Sequence, residues 1–205
     1  GAIRLARAYT KRNKVIRWGY HGWHDWSTGV LGGVPKHIKS DIFELKYNDI
    51  DSVKNIFQEH PNEIACVIMM PFELDEPQAN FLAQVKVETH KNGALFILDE
   101  MRSGFRMSLG GAQEYFNIDA DLATFSKAIA NGYSISAIAG KKKILAKLRD
   151  VQMAATFFAN SPEIAAAITT ISILKNTNTL NHIWSLGEFF KTETEKLISK
   201  LNIPA

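Results

Sequence analysis

The feature of this sequence that most limits its fold is the alternation of short apolar runs with amphipathic helical segments. The pattern predicts strands at 15–18, 65–70, 94–98, 122–125 and 135–139, with helices at 49–60 and 78–92 between the first of them. Two further helices are predicted, one starting at the Ser161-Pro162-Glu163 signal and one over 179–201. Strands that alternate with helices indicate an α/β fold with a mainly parallel mixed sheet flanked by helices.

The last two predicted helices each carry apolar residues at helical spacing, which we expect to form buried stripes. In the first the stripe contains Ile164, Ala167, Ile168, Ile171 and Leu174, and in the second Leu180, Ile183, Phe190, Leu197 and Leu201.

Composition excludes several classes of protein. The chain has 205 residues, of which 46% are hydrophobic and 22% charged, so it is neither disordered nor a disulfide scaffold. A net charge of +3 gives no basic footprint for nucleic acid, and the longest apolar run is too short to cross a membrane. Its single cysteine, Cys66, and the lack of a signal-peptide pattern favour a buried thiol in a cytoplasmic protein.

Chemically active residues follow the predicted strands at the points where these end. Tyr20, His21 and Gly22 come after the first strand, Glu73 after the next, and Asp99 and Lys127 after the following two. Ligands of parallel sheets bind beyond the carboxyl ends of the strands, so we expect these residues to meet at one edge.

An aromatic ring, an acid and a lysine at one sheet edge suit a pyridoxal-phosphate site. A lysine forms Schiff bases with carbonyl groups, an aspartate can keep a pyridine nitrogen protonated, and a ring can stack on the pyridine. Each residue also has a plainer interpretation. Lys127 could be solvated, Asp99 could cap a turn, and Tyr20 could join a packing cluster of nearby tryptophans. A metal site at His21, His24 and Asp25 is disfavoured by its incomplete ligand set.

Taken together, the motifs resemble those of the class III aminotransferases, particularly the glutamate-1-semialdehyde aminotransferase-like branch. The resemblance covers the whole chain and rests on four segments in the family's order: Tyr20-His21-Gly22, the acidic segment Asp99 to Arg106, the lysine segment Asp121 to Lys127, and the segment Thr156 to Pro162. The fold it implies is the large domain of the fold-type I pyridoxal-phosphate transferases.

The resemblance also implies roles for single residues. Lys127 would bind pyridoxal phosphate as a Schiff base and move the proton, and Asp99 would bind the pyridine nitrogen. Tyr20 and Met101 would cover the two ring faces, and Thr156 would reach the cofactor phosphate of the neighbouring subunit, which implies a homodimer with shared sites. His21 and Gly22 would lie under the cofactor.

The family comparison further implies that residues 1–205 are part of a cofactor-binding large domain, without the preceding segment and the small C-terminal domain. The expected partners are a small-molecule amino donor and a carbonyl acceptor. Neither a nucleic acid nor a membrane is expected.

The sequence departs from the family pattern at several positions. Met70-Pro71 stands where many members have Glu-Pro, with Glu73 displaced from that position, and Ser161 alters the usual asparagine-proline segment. Arg102 stands where a glutamine is common, and an arginine can pair with an anionic substrate as a bidentate fork. We therefore expect Arg102, with Glu73 nearby, to influence substrate choice.

Three interpretations of function stay open at this stage. The first is an aminotransferase, or an aminomutase that returns the amino group to the same molecule. The second is a truncated, non-catalytic fragment of such an enzyme. The third and weakest is a nucleotide-binding domain. Such a domain requires a Gly-rich turn after its first strand, and this sequence does not supply one in the right form.

Overall fold

The computed structural model describes residues 1–29 and 32–203. Six strands and eight α-helices lie within these ranges. The strands are β1 (Lys14–Trp18), β2 (Ile42–Glu44), β3 (Ile64–Met69), β4 (Leu95–Asp99), β5 (Leu122–Phe125) and β6 (Ala137–Gly140). The helices are α1 (Ala2–Thr10), α2 (Lys36–Lys39), α3 (Ile50–Glu59), α4 (Phe81–Lys91), α5 (Gly111–Tyr115), α6 (Lys142–Leu145), α7 (Ser161–Asn176) and α8 (Thr179–Leu201).

The six strands form one sheet in the order β2-β1-β3-β4-β5-β6. The first five are parallel, and β6 runs antiparallel to β5. The predicted α/β fold with a mainly parallel mixed sheet is thus confirmed. The sequence reading missed β2, because an edge strand of only three residues, none of them buried, leaves no apolar run.

Alternating side chains of the central strands enter two separate cores. Phe96 and Leu98 of β4 pack into the core beneath α3 and α4, whereas Leu95 and Ile97 pack with α1 on the other face. All five residues of β4 and all six of β3 are buried, which explains why these strands read as unbroken apolar runs.

Cys66 lies in β3 and is fully buried, as expected, and burial raises the pKa of its thiol to about 12. Within residues 1–29 and 32–203, no helix combines the length and the apolarity needed to cross a membrane.

The buried stripes predicted for α7 and α8 are wrong. Within α7 only Ala167 is buried and Ile168 is 64% exposed, while α8 has no buried residue along its described length. Helical spacing reveals that a helix has an apolar face, but burial requires another element to cover that face. In the described chain α7 meets α8 and the short turn at 127–129, and these cover little of either stripe.

A buried carboxylate, Asp121, fastens the start of β5 to its neighbours. It accepts hydrogen bonds from the Phe96 amide at 2.8 Å, from His90 Nε2 at 2.7 Å and from Lys141 Nζ at 2.7 Å. Burial acts to raise the pKa of Asp121, but these hydrogen bonds prevail and hold it below its ordinary value of 3.8.

The lowered pKa predicts how stability depends on pH. A carboxylate whose pKa falls on folding contributes stability that is present above its unfolded pKa and lost as the pH falls through the folded one. Asp121→Asn should therefore lower the free energy of unfolding by about 1–2 kcal/mol at pH 7, since two of its partners are partly exposed. The difference should shrink in denaturant titrations as the pH falls below about 4, and a constant difference would contradict the assignment.

Candidate active site

The carboxyl ends of β1, β3, β4 and β5 lie along one edge of the sheet, because these strands are parallel and adjacent. Asp99, the last residue of β4, is in register with Thr124 of β5. Lys127 follows three residues later, so the acid and the lysine stand at neighbouring strand ends. This is the arrangement that the sequence predicted for these two residues.

Asp99 is 3% exposed and is held by three partners. Its Oδ1 accepts hydrogen bonds from the Met101 amide at 3.1 Å and from the Thr124 hydroxyl at 3.2 Å. Its Oδ2 lies 2.6 Å from His21 Nδ1. Partners on three different segments therefore fix the carboxylate at the sheet edge.

His21 is buried between Asp99 and the end of β1. Its Nε2 lies 3.0 Å from the Trp18 carbonyl oxygen, which can only accept, so Nε2 carries a hydrogen. The ring therefore links the carboxylate of Asp99, through Nδ1, to the backbone at the end of β1, through Nε2. Sequence reasoning gave His21 a place under the cofactor but did not reveal this direct bond to the acid.

Lys127 is exposed and has an unusual backbone conformation. It starts a short 3-10 turn, Lys127–Ile129, with a φ of 52°, in the left-handed region that side-chain-bearing residues seldom occupy. Ile129 at the end of the turn is buried and anchors it.

Gly104 brings the acidic segment against the lysine segment. A Cβ at this position would lie 2.7 Å from the Phe125 ring and 2.8 Å from the Glu100 carbonyl oxygen, so only glycine fits without a shift. Phe105 also meets Phe125, with ring centroids 5.5 Å apart. The two motifs that carry Asp99 and Lys127 are thus packed against each other.

The Tyr20 segment lies at the same edge. The Tyr20 amide contacts Met70 Sδ at 3.3 Å, and its ring is 58% exposed. Gly22 has a φ of 102°, a conformation that favours glycine and lets the chain turn away after His21. Trp18, which could have packed on Tyr20, instead stacks on Tyr47 with ring centroids 4.1 Å apart. Tyr20 is therefore exposed at this edge of the sheet and does not stack on Trp18.

A cavity of about 660 Å³ opens beside Asp99. Its walls come from the segment after β3, the segment after β4 and helix α8. Glu73 and Arg102 both line it, and Arg102 Nη1 donates to Glu73 Oε1 at 3.0 Å. The two predicted substrate residues thus lie together beside the acid, paired with each other.

Thr156 and Lys127 fall outside this cavity. Lys127 lines a neighbouring cleft with Phe105 and Arg106, and Arg106 is a wall of both spaces. Thr156 lies in an exposed turn after Val151, and the structure does not bring it to Asp99.

Within the described residues, no group of three or more His, Cys, Asp or Glu side chains could hold a metal ion.

Sequence reasoning missed Glu100, which is fully buried next to Asp99. Its carboxylate accepts hydrogen bonds from the amides of Ala112 and Gln113, both at 2.9 Å, and from the Ser103 hydroxyl. It thereby ties the end of β4 to the start of α5 and closes the loop that carries Arg102. The sequence does carry a signal for Glu100, since it is an acid next to the end of a buried strand. Asp99 carries the same signal, and only Asp99 was predicted to be functional.

This geometry predicts a stability effect. Glu100→Gln replaces one acceptor oxygen by an NH2 group that faces donors, so charge-assisted hydrogen bonds are lost in a buried place. We expect the free energy of unfolding to fall by about 2–3 kcal/mol in denaturant titrations. Glu59→Gln, the same change at an exposed position of α3, is the control and should have little effect. Equal effects of the two substitutions would contradict the role given to Glu100.

The fold thus brings a buried carboxylate, Asp99, and an exposed lysine, Lys127, to neighbouring ends of parallel strands. The chain belongs to the class-III aminotransferase family, whose family model matches residues 1–204.

Named relatives agree with this assignment. The chain is 43% identical over 210 residues to 3-aminobutyryl-CoA aminotransferase of Cloacimonas acidaminovorans, covering 99% of this chain and 51% of that protein. It is 38% identical to glutamate-1-semialdehyde 2,1-aminomutase of Ruminiclostridium cellulolyticum, covering 99% and 52%. Its fold matches the FumI protein of Sphingopyxis sp. MTA144, solved as the PLP internal aldimine form, with a TM-score of 0.92 and 29% identity over 97% of this chain and 50% of that one. The chain thus spans about half the length of these proteins.

Proposed function

We propose that this chain provides the pyridoxal-phosphate site of an aminotransferase that moves an amino group between an amino donor and a keto or aldehyde acceptor. One observation carries the proposal. Asp99 is buried at the end of β4, where three hydrogen-bonding partners hold its carboxylate, and the exposed Lys127 follows the neighbouring strand. Membership of the class-III family supports it, as do relatives with this activity.

The residues present suit this cofactor. A buried carboxylate can pair with a protonated pyridine nitrogen, an exposed amine can bond to the cofactor's carbonyl carbon, and an exposed ring can cover one face. When bound, pyridoxal phosphate supplies a ring that withdraws electrons from the carbon bearing the amino group.

In this mechanism the protein's own groups bind, orient and move protons. Asp99 would present its carboxylate to the ring nitrogen, and His21 keeps that carboxylate in place through the 2.6 Å contact. Tyr20 would cover one ring face, and Met101 the other. Gly22, with its positive φ, would let the chain turn away beneath the ring. Lys127 Nζ would take the proton from the substrate carbon that bears the amino group and deliver it to the cofactor carbon bonded to that nitrogen.

We further propose that residues 1–205 form part of the cofactor-binding large domain of a cytoplasmic homodimer. In this arrangement Thr156 contacts the phosphate held by the neighbouring subunit. The exposure of Thr156 supports the proposal, because its side chain is accessible to a second copy.

Transfer of the amino group within one molecule is the second candidate. Its support is the 38% identity to an aminomutase. Lys127 and Asp99 would serve both reactions in the same way, so the products distinguish them: an aminotransferase releases a keto product from the donor, and an aminomutase does not.

The proposal is tested by locating the cofactor on the protein expressed from the complete open reading frame. Pyridoxal phosphate is added, borohydride reduces the adduct, and the digested protein is mapped by mass spectrometry. We expect a single modified peptide, with the added mass on Lys127. Modification of other lysines with Lys127 unmodified would overturn the proposal.

A further inference from the structure

The ion pair between Arg102 and Glu73 forms part of the lining of the cavity beside Asp99. Arg102 lies on the loop after β4 and Glu73 on the segment after β3, and both line the cavity of about 660 Å³. Their side chains are 49% and 44% exposed, so neither charge is removed from water. The pair is therefore accessible from water and from the cavity.

The contact is one that a ligand can displace. A single guanidinium nitrogen meets a single carboxylate oxygen, at 3.0 Å. Half-exposed pairs of this kind contribute little to stability, whereas an Arg that holds a carboxylate with two parallel hydrogen bonds binds it more strongly. A ligand carboxylate of suitable position can thus replace Glu73.

Hydrogen bonds hold Arg102 close to Asp99. The Arg102 carbonyl accepts a hydrogen bond from Arg106 Nη1 at 3.0 Å, and the preceding amide, of Met101, bonds to Asp99. The loop is closed further on by the buried Glu100. Glu73 lies in an irregular segment between β3 and α4, and its half-exposed side chain is the partner that we expect a ligand to displace.

From these observations we propose that Arg102 is a specificity-determining residue that binds a carboxylate of the substrate remote from the reacting carbon, and that Glu73 occupies Arg102 until that carboxylate arrives. The inference rests on the proposed function and adds a substrate class to it: amino donors or acceptors with a second acidic group. Glu73 also gives selectivity, because a neutral substrate offers nothing to replace it.

The test measures binding of inert acids to cofactor-free protein from the complete open reading frame. Glutarate carries two carboxylates, and its monoamide, glutaramate, carries one. By calorimetry, Arg102→Gln should weaken glutarate binding about tenfold and change glutaramate binding less than twofold. Glu73→Gln should strengthen glutarate binding about threefold, because the competing carboxylate is removed.

Lys54→Gln is the matched control, since it breaks an exposed ion pair of the same charge type, with Asp51, on α3. It should leave both dissociation constants unchanged. Thermal unfolding of each variant shows whether the fold is retained.

Three results would overturn the inference. Glutarate could bind Arg102→Gln as tightly as the parent protein. Glu73→Gln could weaken glutarate as much as Arg102→Gln does, which would make the pair a static structural contact. Inorganic phosphate could compete for Arg102 better than glutarate, which would replace a carboxylate by a phosphate group as the ligand.

The same preparations separate this inference from the proposed function. Each variant is treated with pyridoxal phosphate and borohydride, and the mass added to Lys127 is measured. Modified Lys127 with no dependence of glutarate binding on Arg102 would overturn the anion site alone. Arg102-dependent glutarate binding by a protein with unmodified Lys127 would overturn the proposed function and leave the anion site.

Discussion

Lys127→Ala is expected to reduce amino transfer by at least about 10³-fold, since the residue is both the attachment point and the group that moves the proton. The fold should survive the change. Lys127 is exposed, so its side chain packs against little. Its φ of 52° should cost alanine no more than lysine, because both residues carry a Cβ. The measurement is single-turnover loss of the amino donor at saturating pyridoxal phosphate, with circular dichroism to check folding.

Two further substitutions make this result specific. Lys127→Arg keeps the positive charge but not the reactive amine, so it should be as inactive as the alanine variant. Lys142→Ala removes an exposed lysine at the start of α6 and should retain full activity. Activity of Lys127→Ala within tenfold of the parent protein would show that the proton is moved by another group.

Asp99→Asn is expected to lower kcat/KM about 10²–10³-fold, the typical effect of removing a preorganised electrostatic partner. The structure indicates that asparagine fits. Its Oδ1 can still accept from Met101 and Thr124, and its NH2 can donate to His21 Nδ1 while Nε2 continues to donate to the Trp18 carbonyl. The loss then reflects the missing charge at the ring nitrogen and not a collapsed site.

The readouts for Asp99→Asn are steady-state kinetics and the dissociation constant of pyridoxal phosphate, which should rise. Asp51→Asn, the same change at an exposed residue of α3, is the control. If Asp99→Asn kept kcat/KM within threefold of the parent, the carboxylate would not serve the ring nitrogen, and Asp99 would be a structural partner of His21.

The sheet could be predicted from sequence because its central strands are buried on both faces. β3 and β4 appear as unbroken apolar runs, and the polar residues that follow them mark the strand ends. The same reasoning failed for α7 and α8, since an apolar face such as that of Ile168 says nothing about whether another element covers it. β2 was missed because three unburied residues carry too little pattern.

The candidate site could be predicted only as far as topology determines it. The order of the strands brings Asp99 and Lys127 to neighbouring strand ends, which requires no knowledge of side-chain positions. The bond between His21 and Asp99 links residues 78 apart and depends on how the loop after β1 turns. The pairing of Arg102 with Glu73 likewise depends on the paths of two irregular segments. Spacing in the sequence carries no information about either contact.

Asp99 and Glu100 are neighbours in the chain, yet their side chains serve opposite sides of the strand end. One faces His21 and the sheet edge, and the other faces the start of α5. Buried hydrogen bonds from Glu100 to the amides of Ala112 and Gln113 therefore hold the two ends of the loop between them. Arg102 lies within this loop, so its side chain can be replaced without breaking the bonds that hold the ends. Substitution of Arg102 is thus expected to change what the cavity binds while Asp99 and Glu100 keep their hydrogen bonds.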